Sequence, residues 1–160
     1  EQGYILVASN NIQENESLLN NVRTGTRLIE RISQLFPVGK SRIYTAGLGH
    51  GARVAVVIPM VYPTIAGVMA VDDIWLNTEY LEKENNFYFI AIADYLGSYY
   101  NLLEDTVIIL NKAGKKADFF QFEGSNEWPD GNLLSNALGR FTLNEILTGN
   151  RPQNLVFIEK

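Results

Sequence analysis

The chain has 160 residues, 46% hydrophobic and 19% charged, with a formal net charge of −5; this is the composition of one soluble globular domain with its own core. The acidic balance and the lack of a basic stripe exclude a nucleic-acid partner, because Lys112, Lys115 and Lys116 cluster at an expected helix end, where cations complement the dipole. With no cysteine and one histidine, disulfides, thiolate metal sites and multi-histidine zinc sites are excluded, and no metal or other cofactor is expected.

The sequence opens Glu1-Gln2-Gly3-Tyr4 without a methionine and reads as a strand almost at once, as expected of a fragment or mature product with an upstream part missing. Residues 4–8, 42–46, 67–71, 87–93 and 118–123 are mostly continuous apolar runs, the pattern of parallel strands covered on both faces. Leu18, Val22, Ile29, Ile32 and Phe36 recur at helical spacing, and Pro37 marks the stop. A second helix is predicted over about 52–62, bent by Pro59. A third covers about 98–113, with Leu102, Val107 and Leu110 inward and Gly114 past its end; a fourth covers about 133–147, ending near Gly149.

Residues 54–71 carry no charge, yet Pro59 and Pro63 interrupt them and Asp72-Asp73 follow immediately. They read as a buried helix and a buried strand, not as a membrane span. Asn150-Arg151-Pro152-Gln153 breaks the pattern, so residues 1–149 form the domain and 150–160 an edge strand or linker, with Leu155 to Ile158 its apolar part. Strand and helix alternate, which predicts an α/β fold: a mostly parallel sheet with right-handed crossovers and helices on both faces.

Between the strand-like residues 42–46 and the helix-like residues 52–57 stand Gly47-Leu48-Gly49-His50-Gly51. In the strand–turn–helix motif G-x-S-x-G a serine occupies the centre of a sharp turn and its flanking glycines let the chain bend. Here Gly47 and Gly51 keep the flanks, and Gly49 holds the centre without a side chain.

With this motif the chain resembles the α/β-hydrolase family, particularly its esterase and depolymerase-like members. Three further segments carry the likeness: Gly3-Tyr4-Ile5-Leu6-Val7-Ala8-Ser9-Asn10-Asn11, Tyr62-Pro63-Thr64-Ile65-Ala66-Gly67-Val68-Met69-Ala70-Val71, and Phe122-Glu123-Gly124-Ser125-Asn126-Glu127-Trp128-Pro129. The resemblance implies an α/β-hydrolase-like domain whose first strands lie outside this sequence. It places the serine position on Gly49, the acid on Asp94, and the histidine on Asn126, because the last segment looks like a family loop written Gly-x-His-x-Trp-Pro. Glycine has no oxygen to attack a carbonyl, and an asparagine amide does not shuttle a proton near neutral pH. The implied triad is therefore degenerate. The backbone N–H of His50 takes the place of one oxyanion donor, and the loop that supplies the other falls before Glu1.

The remaining polar and aromatic residues admit two readings each. The imidazole of His50 has no task in the motif and reads as a packing or partly exposed side chain. Without a histidine to orient, Asp94 reads as a fossil acid or a carboxylate at a helix N-terminus. Asp72 and Asp73 could join Glu79 around a hard cation, or form an acidic turn. Trp75, Tyr80, Tyr95, Tyr99, Tyr100 and Trp128 fall near strand ends, where they would line a binding surface for a small molecule or peptide, or cover the core edge.

Two alternatives compete with an inactive domain. An active serine esterase would use Ser98 or Ser125 with His50, although no spacing supports that pair. A dinucleotide-binding domain would read Gly47-Leu48-Gly49-His50-Gly51-Ala52 as G-x-G-x-x-A, with Asp72 twenty residues beyond Ala52. The leading expectation is a hydrolase-fold pseudoenzyme serving as a binding or scaffolding module, with a protein partner or companion domain.

Overall fold

A computed structural model describes residues 3–75, 87–124 and 127–152. Among these described residues four helices, α1 (Leu18–Leu35), α2 (His50–Val61), α3 (Tyr100–Lys112) and α4 (Gly131–Leu147), alternate with four strands. The strands are β1 (Ile43–Leu48), β2 (Ile65–Val71), β3 (Tyr88–Asp94) and β4 (Ala117–Phe122). They form one parallel sheet in the order β1-β2-β3-β4. The predicted α/β class, the parallel sheet and the helices on both faces are all present.

The two faces are buried by different helices. Val68, Ala70, Phe89, Ala91 and Ala93 face α1, α2 and α3, which contribute Val22, Val54, Ile58, Leu103 and Val107. Met69, Val71, Ile90 and Ile92 face Ala137 and Phe141 of α4. Burial on both sides is why β2 and β3 read as unbroken apolar runs. Local chemistry fixes the helix starts: Ser17 Oγ accepts from Asn20 N–H at 3.2 Å, and Asp130 Oδ1 accepts from the N–H groups of Asn132 and Leu133 at 2.8 and 2.9 Å.

Charge and aromatic contacts tie α4 to the start of β1. Glu145 is 2% exposed, yet Tyr44 donates its hydroxyl to Glu145 Oε1 at 2.6 Å, while Arg42 and Arg151 approach Oε2 at 3.3 and 3.5 Å. Two guanidinium groups and a phenol compensate this carboxylate's lost hydration. Burial, followed by the Glu145 contact, pushes the Tyr44 hydroxyl well above the usual tyrosine range. Tyr44 also stacks on Phe141 at 4.5 Å between ring centroids.

The structure corrects one predicted strand. Residues 4–8 pair with no described strand, and Leu6 is 84% exposed. An apolar run becomes a strand only where a neighbour offers its backbone groups. β1 is the edge of the described sheet, and this segment does not bond to it. Asn150, Arg151 and Pro152 follow α4 without strand structure, and the rest of the expected edge strand or linker, residues 153–160, lies outside the described residues.

Candidate functional site

Parallel pairing brings the strand ends that carry the candidate residues to one rim. Leu48 is level with Val71, and Val71 with Ile92, so Gly49 follows β1 on the same side as Asp94 closes β3, one strand apart. Ligands bind at this carboxyl end of open α/β sheets.

Gly49 turns the chain from β1 into α2. Its backbone has φ +54° and ψ −126°, a conformation open to glycine and strained for other residues. Its N–H donates to the Val71 carbonyl at 2.9 Å and its carbonyl accepts from the Ala52 N–H at 2.8 Å, which pins the turn from both sides. The flanking glycines are not equivalent. A Cβ on Gly47 would collide with the Gly51 carbonyl and the Ala52 nitrogen, so this glycine allows β1 and α2 to touch. A Cβ on Gly51 would meet nothing within 4 Å.

His50 opens α2, and its imidazole is held from α1. Asn21 is 1% exposed; its amide nitrogen donates to the Gln13 carbonyl at 2.7 Å and lies 3.0 Å from His50 Nε2. Asn21 Oδ1 accepts from the Gln13 N–H at 3.1 Å, which fixes the amide's orientation. His50 Nε2 is therefore the acceptor, and Nδ1 carries the ring proton. Among the described residues the ring's hydrogen-bond partner is thus a structural asparagine. Ser98 is exposed ahead of α3. Ser125 lies outside the described residues.

Asp94 is 8% exposed and closes its own turn: its Oδ1 accepts from the Leu96 N–H at 3.2 Å, and its carbonyl from the Gly97 N–H at 2.8 Å. Its N–H donates to Asp72 Oδ1 at 2.6 Å. Asp72 has φ +54°, and burial raises its carboxyl above the ordinary aspartate range. Asp73 accepts from Arg53 Nε at 2.7 Å and from the Ile74 N–H at 2.7 Å, while Arg53 Nη2 donates to the Tyr99 hydroxyl at 2.9 Å. These contacts make Asp72 and Asp73 parts of an acidic turn bound to α2 and the loop before α3. Among the described residues no group of three metal-ligating side chains forms, and Glu79 lies outside them.

The aromatics divide by their contacts. Tyr99 is held by Arg53, and Tyr100 donates to Gln121 at 2.8 Å and packs edge-on to Phe119 at 5.2 Å. Tyr95 and Leu96 are exposed just after β3, Trp128 is exposed in the segment between β4 and α4, and Trp75 is half-buried after β2. Tyr80 and Asn126 lie outside the described residues. Sequence reading missed Arg53 and Asn21. Their signals were an arginine beginning a helix opposite an acidic strand end, and an asparagine beside Val22 on an apolar helix face.

No protein-family model and no curated protein matches the sequence. Solved structures do. SOBER1 of Arabidopsis thaliana superposes with a TM-score of 0.61 at 14% identity, over 84% of this chain and 67% of that one. An uncharacterised protein from Bacillus cereus ATCC 10987 gives 0.66 at 15% identity, over 86% of this chain and 49% of that one. Esterase PE8 gives 0.56 at 19% identity, over 84% and 68%. This chain thus spans about two thirds of the plant protein and about half of the Bacillus one. Its sheet, its helix layers and these superpositions give it the α/β-hydrolase-like fold.

Proposed function

We propose that this chain is a hydrolase-fold domain without hydrolase chemistry, kept as a binding or scaffolding module for a protein partner or companion domain. One observation carries the reading: the turn between β1 and α2 has the strained backbone of a nucleophile's seat, and the residue in it is Gly49. The close contact that needs Gly47 is retained around a centre with no reactive atom. Decay without selection would damage such packing as readily as catalytic side chains.

Three further features support it. Asn126 stands at the position where the resemblance expects a histidine. The lone imidazole, His50, is engaged by Asn21. Tyr95 and Leu96 just after β3, and Trp128 between β4 and α4, offer exposed apolar surface, as a docking face requires. The dinucleotide alternative is disfavoured because Asp72 already accepts the Asp94 N–H, and because β1 lies at the edge of the described sheet, away from a reversal of strand order.

The test offers the purified chain short-chain acyl esters and a fluorophosphonate probe. The proposal expects background hydrolysis and no serine adduct. A stoichiometric adduct at one serine, abolished by His50→Ala, contradicts it. Saturable NAD(H) binding that weakens in Asp72→Ala would favour the dinucleotide reading instead.

A further inference from the structure

β4 is an edge of the described sheet, at the end opposite β1. The Lys116 carbonyl accepts the Phe89 N–H and the Phe122 carbonyl accepts the Tyr95 N–H, each at 3.0 Å, so these positions turn their backbone groups toward β3 and its end. Alternation along the strand directs the backbone groups of Ala117, Phe119 and Gln121 outward, where no described strand pairs with them. Phe119-Phe120-Gln121-Phe122 carries no charge and has high strand propensity, the composition of a self-associating segment. An open edge of this kind is a template for another strand, and an identical chain supplies one.

The first outward position is already occupied. Asn111, in the last turn of α3, donates its amide nitrogen to the Ala117 carbonyl at 2.9 Å, and its Oδ1 accepts from the Ala117 N–H at 3.2 Å. A carboxamide carries the donor and acceptor of a peptide group, so this side chain makes the two bonds that a neighbouring strand would make to Ala117. At the other end of α3, Tyr100 donates its hydroxyl to Gln121 Oε1 at 2.8 Å and sets its ring edge-on to Phe119 at 5.2 Å. Both ends of α3 hold β4, but only Asn111 takes its backbone groups.

We propose that Asn111 is an edge guard, which keeps β4 from pairing with β4 of a second copy. Antiparallel pairing about a two-fold axis at Phe119 would set Ala117 of one chain against Gln121 of the other and Phe119 against Phe119, so that all three outward positions pair at once. With Ala117 sealed in both chains, only the central pair survives in that register, and no register of β4 offers more than two pairs. So short a ladder does not hold two strands together in water. The role is separate from the chemistry of the β1–α2 turn and from any partner bound at the rim.

Sedimentation and residue-resolved amide exchange on Asn111→Ala test the proposal, beside the natural chain and Asn21→Ala, which is weakened far from this edge. In the natural chain the Ala117 amide should be protected while those of Phe119 and Gln121 exchange freely. In dilute Asn111→Ala the Ala117 amide should exchange faster by about tenfold or more. As that variant is concentrated, a dimer should form, and the Ala117, Phe119 and Gln121 amides should gain protection together. Adding Gln121→Pro, which removes an outward donor and no bond to β3, should restore the monomer. Where Asn111→Ala does not fold, Asn111→Ser, whose hydroxyl meets only one of the two backbone groups, is read by the same criteria. Free exchange of the Ala117 amide in the natural chain overturns the proposal. So does an Asn111→Ala protein that remains monomeric at every concentration, which would leave Asn111 the task of holding the turn between α3 and β4. Association that Asn21→Ala shows equally, or that survives Gln121→Pro, would belong to general destabilisation or to another surface and also overturns it.

Discussion

His50 Nε2 lies 3.0 Å from the amide nitrogen of Asn21, so the chain's lone imidazole is fastened to α1. The same asparagine exchanges two hydrogen bonds with the Gln13 backbone, at 3.1 and 2.7 Å. Asn21→Ala strands these groups in a buried position and is expected to cost about 1–3 kcal/mol in chemical denaturation. His50→Ala removes one of the bonds and should cost less. Equal stability of Asn21→Ala and the natural chain would show that the imidazole is not anchored this way.

The two flanking glycines should respond oppositely to alanine. Gly47→Ala drives a methyl group into the Gly51 carbonyl and should lower stability by about 3 kcal/mol or more, or prevent folding. Gly51→Ala places a methyl in open space on a helix, where alanine exceeds glycine in propensity, and should gain about 0.5–1 kcal/mol. Thermal melts of both variants check this contrast. A loss in Gly51→Ala comparable to that in Gly47→Ala would refute it.

Asp72 sets a pH dependence with a definite sign. Desolvation raises its carboxyl in the folded chain above its unfolded value, so the folded state binds the proton more tightly. Its contribution is fully favourable below the unfolded pKa and is lost as pH rises through the folded one. Asp72→Asn keeps the acceptor for the Asp94 N–H, carries no titrating proton and tolerates φ +54° well. Its stability relative to the natural chain should rise across the carboxylate range and level off toward neutral pH. A difference that stays flat from acid to neutral pH would count against this account.

The helix spacing of α1 and the apolar runs of β2 and β3 were legible in the sequence because two-sided burial leaves nothing polar to break them. The failure at residues 4–8 is instructive. Tyr4-Ile5-Leu6-Val7 has the same local chemistry as a strand, but pairing depends on a neighbouring edge that no local window encodes. Arg53 and Asp73 are twenty residues apart, and only the parallel crossover brings them to 2.7 Å. Gly49, by contrast, could be picked out because a turn between an apolar run and a helix demands a special backbone, and glycine leaves a visible mark. The task of His50 could not be read, since its partner Asn21 comes from a helix 29 positions earlier.

The central claim is that the turn is preserved and only its chemistry is absent. Fluorophosphonate labelling, read by mass spectrometry, measures this on the natural chain beside a Gly49→Ser, Asn126→His double variant. The account expects no adduct on the natural chain and an adduct at position 49 in the variant, with the added strain lowering its stability by about 1–3 kcal/mol. Labelling of the natural chain at any serine, as fast as the variant's, would contradict it.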